Sequence, residues 1–357
     1  MKLKFKKIFV TKNCVGLKPR TLVRNFLDKN SQRIFVTGGA GYVGSHLVPS
    51  LLDKGYSVVV YDLYIYEYRF PEHKNLVQIK ADIRDKKKLV ESSKDCDAMV
   101  HLACISNDPS FDLDPTLGKS INYDAFQNII DACKDNKIKR LIVASSTAQY
   151  GIKPADVEVT EDIEAEPITD YAKYKLECEK LLLNTNMGDT EYVFVRPATL
   201  CGYAPRLRLD LSLNILTIHA LVNKKIKIFG GDQMRPALNI KDMTRFYELM
   251  LTAPGKKIHR QAFNVSYKNM TIRQLAELAK KTLNDDSITF EVTPSDDNRS
   301  YHVNTDKMKK VLGFECKYDF EDAVKSLAEA YKKGLIIDGL NNPLYHNIKR
   351  MKEIKMK

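Results

Sequence analysis

The 357-residue sequence contains no tryptophan and only seven histidines, and its seven cysteines (Cys14, Cys96, Cys104, Cys133, Cys178, Cys201 and Cys316) are odd in number and far apart. No C-x-x-C pair occurs, which excludes the spacing of a zinc ribbon or a dithiol redox couple; reduced thiols and no metal site are expected. No apolar run approaches the roughly 20 residues that cross a bilayer, and the apolar part of MKLKFKKIFV at the N-terminus is too short for a secretory signal. Internal repeats and low-complexity stretches are also missing. These absences point to a globular protein of the cytoplasm, with no membrane span.

Negative charge is scarce at both ends of the chain. Residues 1–33 hold ten Lys/Arg and one acid, and residues 341–357 hold five and one, so the segment between them carries 42 basic and 43 acidic residues. The net charge of +12 therefore belongs to the termini, and the nearly neutral body offers no basic face to nucleic acid. Both ends are expected to be solvated and dispensable for turnover.

What is present is concentrated in RIFVTGGAGYVGSHLVPSLLDKGYSVVVYDL, Arg33 to Leu63. A β-branched and aromatic run, Ile34 to Val36, precedes a glycine turn. A helical pattern follows from Ser45 to near Gly55, and then a second strand at Val58 to Tyr61. Gly38, Gly41 and Gly44 suit a tight turn, close backbone approach to a ligand and close helix-to-strand packing, and a new helix N-terminus there offers free N–H groups to a pyrophosphate. Asp62 stands 18 residues beyond Gly44, at the end of the second strand. A carboxylate in that place accepts hydrogen bonds from a ribose 2′-hydroxyl and repels a 2′-phosphate, so the stretch reads as an NAD site.

Apolar runs recur at Leu76–Ile79, Ala98–Leu102, Leu141–Ala144 and Tyr192–Val195, separated by helical stretches. This alternation predicts an α/β fold: a doubly wound parallel sheet of the Rossmann type. Beyond Gly202 the rhythm changes. A helix at Leu211–Val222, a strand in KIKIFGGD, an amphipathic helix at Thr271–Leu283 and a strand at Ser287–Val292 predict a smaller α+β lobe. The expected division is a basic N-terminal extension (1–30), the NAD-binding domain (31–202), a substrate-binding lobe (203–340) from which the chain is free to cross back to the sheet, and a basic tail (341–357).

LIVASSTAQYG places Ser145 and Ser146 at a strand end, and DYAKYKLECEKLL places Tyr171 and Lys175 four residues apart, on one helical face. A free tyrosine, with a pKa of about 10, is a poor base at neutral pH, but a neighbouring ammonium and an oxidised nicotinamide both favour the phenolate. Ser146 would steady a substrate hydroxyl while Tyr171 exchanges its proton. The same spacing at Tyr345 and Lys349 lies in the basic tail and is read as a solvated helix face. His101, at a buried strand end, and His219, within a helix, are read as structural.

With TGGAGYVGS, Asp62, ADI at Asp82, HLAC at His101, SINYDA around Asn122, SSTAQYG, YAKYK and RPATLCG in this order, the chain resembles the extended short-chain dehydrogenase/reductase family over roughly residues 33–335. It is most similar to that family's nucleotide-sugar epimerase/dehydratase branch, of the UDP-glucose 4-epimerase kind. The resemblance implies a cofactor site of Gly38, Gly41, Tyr42, Val43, Gly44, Asp62, Asp82, Ile83, Leu102, Ala103 and Asn122 together with Tyr171 and Lys175. It implies catalysis by Ser146, Tyr171 and Lys175, and a nucleotide-diphosphate sugar held by Ser146, Thr147, Thr199, Arg208, Asn214, Phe229, Arg235 and Arg299, with Arg206 as a further clamp. A homodimer is also implied.

Departures narrow the reaction. Related 4,6-dehydratases carry Asp-Glu after the catalytic Ser/Thr, whereas this chain has Thr147 and Ala148, which disfavours elimination and also removes the cysteine of fucose-synthase-type enzymes. Thr199 replaces the asparagine of galactose epimerases. C4 epimerisation is expected first, net reduction of a 4-keto sugar nucleotide by NAD(P)H second, and a non-enzymatic NAD(P)-sensing or RNA-binding role third.

Overall fold

The computed structural model describes residues 32–154, 157–294 and 302–356; the expected N-terminal extension and Arg299 lie outside the described residues. The first part of the chain forms β1 (Arg33–Thr37), α1 (Tyr42–Asp53), β2 (Ser57–Asp62), β3 (Leu76–Lys80), α2 (Lys86–Ser92), β4 (Ala98–His101), α3 (Asp108–Phe111), α4 (Pro115–Lys119), α5 (Phe126–Asp135), β5 (Arg140–Ala144), β6 (Glu158–Val159), α6 (Asp170–Leu183) and β7 (Glu191–Pro197). It continues through β8 (Thr199–Cys201), α7 (Ser212–Asn223), β9 (Lys225–Phe229), β10 (Met234–Asn239), α8 (Ile240–Thr252), α9 (Gly255–Ile258), β11 (Gln261–Val265), β12 (Lys268–Thr271), α10 (Ile272–Leu283), β13 (Thr289–Thr293), β14 (His302–Val303), α11 (Asp306–Leu312), α12 (Phe320–Lys332) and α13 (Asn347–Glu353).

Seven strands form one sheet in the order β11-β7-β5-β4-β1-β2-β3, every pair parallel. The central strands are buried on both faces because their side chains are apolar on both: Ile34 and Val36 pack with Leu47, Leu51, Phe246 and Met250 on one side, and Phe35 with Ile129, Cys133 and Leu182 on the other. This is the layered α/β arrangement that continuous β-branched runs specify. Strand order reverses between β1 and β4, and a cleft opens there beyond the C-terminal strand ends. Helix α1 begins at Tyr42, three residues before the expected Ser45. Gly44 thus lies inside its first turn, where a Cβ would collide with the Gly39 carbonyl.

The second lobe is built from the three-stranded sheet β12-β10-β8 and the ribbon β13-β9, packed with α7, α10 and α12 around Leu216, Ile226, Leu275 and Val324. The chain does not stay in it. Helix α8 returns to pack against α1, and β11 adds itself to the edge of the seven-stranded sheet beside β7. No helix among the described residues is long and apolar enough to cross a membrane.

The C-terminal segment corrects the expectation of a solvated tail. Helix α13 buries Asn347 and Met351. Arg350 donates to the Ile65 carbonyl and to Glu67 at 2.5 Å, and Leu209 donates its N–H to the Tyr345 carbonyl at 2.9 Å. Arg350 finds its partners on the body, the lysines of the helix stay exposed, and its uncharged residues Asn347 and Met351 pack inward.

One buried ion pair ties the sheet to the cleft. Arg196, at the end of β7, donates to both Glu179 oxygens (3.0 and 2.6 Å) from strand to helix α6, and to the Tyr150 hydroxyl at 2.7 Å. Ser145 and Gln149 donate to the same carboxylate. Removing one partner of such a pair leaves an uncompensated buried charge. Glu179→Ala is expected to cost roughly 3–5 kcal/mol of stability, read by urea unfolding, and Glu179→Gln distinctly less. Equal stabilities of Glu179→Ala and the parent protein would remove the pair from this role.

Candidate active site

A cleft of about 630 Å³ lies between the strand ends and the second lobe. On its first wall the glycine turn brings Gly38, Gly41, Tyr42 and Val43 to the surface of the cleft. Gly38 has φ +68°, and a Cβ there would lie 2.6 Å from the Ala103 backbone, so the turn after β1 can rest on the end of β4 only without a side chain. Asp62 accepts the Ala40 and Tyr64 N–H groups at 3.0 and 2.7 Å. Burial pushes its carboxyl up, against the pull of those two N–H groups and of Arg206. Asp82, Ile83, Leu102 and Ala103 complete this wall, Asp82 paired with Arg84 at 2.6 Å. A side-chain-free turn at a helix start, with a carboxylate at the next strand end, fits a dinucleotide.

Two residues of the expected cofactor site act from behind its wall. Asn122 is buried, exchanging two hydrogen bonds with the Ile105 backbone (2.8 and 2.9 Å) and holding the loop after β4. Gly44 serves helix packing and does not reach the cleft.

The catalytic candidates meet on the opposite wall. Ser146 follows β5 in extended conformation and accepts the Ala148 N–H at 3.1 Å, and its hydroxyl lies on the cleft wall with Tyr171, close enough to favour the phenolate. Thr169 caps α6 and donates to Asp108 at 2.6 Å, which fixes the helix turn carrying Tyr171. One turn on, Lys175 is buried and donates to the Ala144 carbonyl at 2.7 Å, with its ammonium 5.9 Å from the Tyr171 ring centre. Burial pushes the Tyr171 phenol up to about 12, while the Lys175 ammonium and the Ser146 hydroxyl pull it down. Burial opposes the charge on Lys175, but Cys104 and Tyr171 beside it outweigh that and leave its pKa raised. Phenol and ammonium each favour the charged form of the other.

Of the residues expected to hold the substrate, Thr147, Thr199, Arg208, Phe229 and Arg235 line the cleft with Ser146. Asn214 does not. It is fully buried, accepting the Gly202 N–H and donating to the Tyr42 hydroxyl and the Arg208 carbonyl, so it braces the segment that carries Arg206 and Arg208. His219 lies on the cleft wall, paired with Asn223 of its own helix at 3.3 Å, and His101 is buried against Thr37 at 2.8 Å as expected. Cys104, the last residue of HLAC, lines the cleft as that motif implies, whereas the sequence reading missed Ser106 and Asp108 in the loop after it, Asp210 after the arginines, and Asn347. Directly following HLAC, the polar string SNDPS was a usable signal for the loop; nothing local marked Asn347.

Because the Lys175 ammonium lowers the Tyr171 pKa, Lys175→Met should let it rise. The active phenolate is lost as pH falls through that pKa, so the acid limb of the kcat profile should move to higher pH in the variant. A limb at unchanged pH would show that the two groups are not coupled.

Residues 34–266 match the NAD dependent epimerase/dehydratase family. A UDP-glucose 4-epimerase of Lactobacillus helveticus is 29% identical over 84% of this chain and 96% of its own. Among solved structures, a UDP-N-acetylglucosamine 4-epimerase from Methanobrevibacter ruminantium M1 in complex with UDP-N-acetylmuramic acid is 26% identical, covering 85% of this chain and 99% of its own at a TM-score of 0.76. A UDP-glucose 4-epimerase of Thermus thermophilus complexed with NAD, 21% identical over 84% of this chain and 99% of its own, shares the fold at a TM-score of 0.75. With the glycine turn, the strand-end carboxylate and the Ser146, Tyr171 and Lys175 set all inside the matched residues, the chain belongs to the NAD-dependent epimerase/dehydratase family.

Proposed function

We propose that the protein is an NAD-dependent 4-epimerase of a UDP-activated sugar. The observation that carries this reading is the meeting of Ser146, Tyr171 and Lys175 on one wall of the cleft, beside which positions 147 and 148 offer no acid or base. Thr147 is buried and donates to the Pro197 carbonyl at 3.2 Å, and Ala148 has no polar side-chain atom. Elimination of water from C5 and C6 would require an extra acid/base pair there. Redox at a single carbon needs only one proton acceptor.

Bound NAD supplies a reversible hydride acceptor. Tyr171 takes the proton of the C4 hydroxyl and returns it after the 4-keto sugar has turned its other face. Ser146 holds that oxygen through both transfers, and Lys175 stabilises the phenolate between them. Asp62 favours NAD, since a 2′-phosphate would face a buried carboxylate. The relatives named above act on UDP-sugars by their own titles, which supports UDP as the carrier. Homodimerisation, as in the resembling family, belongs to the same proposal.

UDP-glucose, UDP-N-acetylglucosamine and UDP-glucuronic acid incubated with the protein should show C4 inversion by NMR, with no solvent deuterium incorporated at carbon when the reaction is run in deuterated water. Tyr171→Phe keeps the ring and removes the titrating hydroxyl, so turnover should fall by roughly two to four orders of magnitude with little change in KM. Stoichiometric oxidation of NADH by a 4-keto sugar nucleotide, without inversion of any 4-hydroxy sugar, would replace the epimerase by a ketoreductase.

A further inference from the structure

Arg206 and Arg208 lie side by side on the cleft wall, and both are more than nine-tenths buried. Arg208 has a carboxylate partner, Asp210 at 2.9 Å, and donates to Ser106 Oγ at 3.1 Å. Arg206 has none among the described residues: its guanidinium stacks 3.4 Å from the Tyr66 ring centre and donates Nη2–H to the Asn347 side-chain oxygen at 2.7 Å. Burial pulls its pKa down to about 10. In each arginine one buried N–H group, Nε of Arg206 and Nη2 of Arg208, meets no acceptor among the described residues. Buried guanidinium donors without acceptors are costly unless an anion receives them.

Asn347 is the residue that holds this pair in place. Its carboxamide oxygen takes the Arg206 hydrogen bond, while its nitrogen donates to Ser106 Oγ at 3.1 Å, the same hydroxyl that receives Arg208. Its own N–H donates to Asp210 at 3.1 Å. A single buried residue of α13 thus contacts Arg206 and Ser106 through its carboxamide and Asp210 through its backbone N–H. It contributes no charge, so among the described residues the pair has one carboxylate at hydrogen-bond range, Asp210 on Arg208.

We propose that Asn347 is a positioning residue of the cleft, delivered by the C-terminal helix, and that Arg206 and Arg208 receive a diphosphate through the two N–H groups it holds in place. The diphosphate is that of the dinucleotide or that of the nucleotide sugar. The first arm of the test needs only the family's cofactor; the second rests on the proposed sugar-nucleotide reading, so the failure of one is separable from the failure of the other.

Calorimetry suits a chain without tryptophan. NAD is titrated into the dinucleotide-free full-length protein, and UDP into the NAD-loaded protein, for the parent, Asn347→Ala and Asn347→Asp, with adenosine and uridine as controls lacking the diphosphate. Asn347→Ala should weaken NAD or UDP by about tenfold, the value of a charge-assisted hydrogen bond, and whichever weakens identifies the diphosphate. Asn347→Asp keeps the acceptor for Arg206 and should melt no lower than the parent, yet it places a carboxylate beside the guanidinium and should weaken the same ligand by at least as much. Adenosine and uridine should bind all three proteins equally. A purely structural role predicts the reverse for Asn347→Asp, with parental affinity for both diphosphates, and that result overturns the proposal even where Asn347→Ala fails to fold.

Discussion

The Arg196–Glu179 pair is the interaction on which the catalytic geometry depends. Taking both charges out of water costs several kcal/mol per ion, so the pair is tolerable only because the carboxylate and guanidinium are saturated with hydrogen bonds. The partners come from different elements: Ser145 after β5, Gln149 and Tyr150 from the following turn, Arg196 from β7, and Glu179 from α6. Tyr150 passes the connection on to Asn264 of β11 at 2.7 Å. Ser146 is the neighbour of Ser145, and Lys175 lies one helical turn before Glu179. The serine and the lysine are therefore set relative to each other by a charge pair that itself stays clear of the cleft.

The cofactor wall follows a similar rule. Its surface is largely backbone at strand ends, and the polar side chains nearby act mainly by holding that backbone. Asn122 pins Ile105, Asn128 donates to the Ile83 carbonyl at 3.0 Å, and Asn214 ties Gly202 to Arg208. An amide is suited to this work because it offers a donor and an acceptor without a charge to desolvate. Asn122 and Asn214 were both placed among the site residues, Asn214 as a substrate contact, and each belongs to the site one layer behind its surface.

Legibility in the sequence followed the distance over which each feature is decided. The central strands β1, β2, β4, β5 and β7 were readable because burial on both faces leaves continuous apolar runs, and Ser146, Tyr171 and Lys175 because a strand end and a helical repeat are local patterns. The start of α1 was misplaced, since glycine propensity argues against a helix at Tyr42–Gly44 while packing against Gly39 demands that glycine inside it. Strand β11 went unrecognised as a member of the main sheet because its partner β7 is some 70 residues earlier and five residues carry no mark of which sheet they join. The link between Arg206 and Asn347 spans 141 residues, and that between Ser106 and Asn347 spans 241. Neither spacing nor composition encodes such a meeting.

The C-terminal segment shows why charge counting gave the wrong placement. Five basic residues in 341–357 suggest solvation only if their partners are assumed to be water. Here Arg350 is shared between Glu67, Glu353 and the Ile65 carbonyl, and Lys349 donates to the Leu340 carbonyl at 2.7 Å. A helix of seven residues has no stability of its own, so tertiary contact must hold it. That contact comes from the uncharged residues Asn347 and Met351, spaced i and i+4 on one face, with α13 packed on α3 and Met351 joining the buried apolar cluster that holds Phe111. The charges satisfy the rim of the contact, and the two uncharged side chains decide that the segment belongs to the cleft.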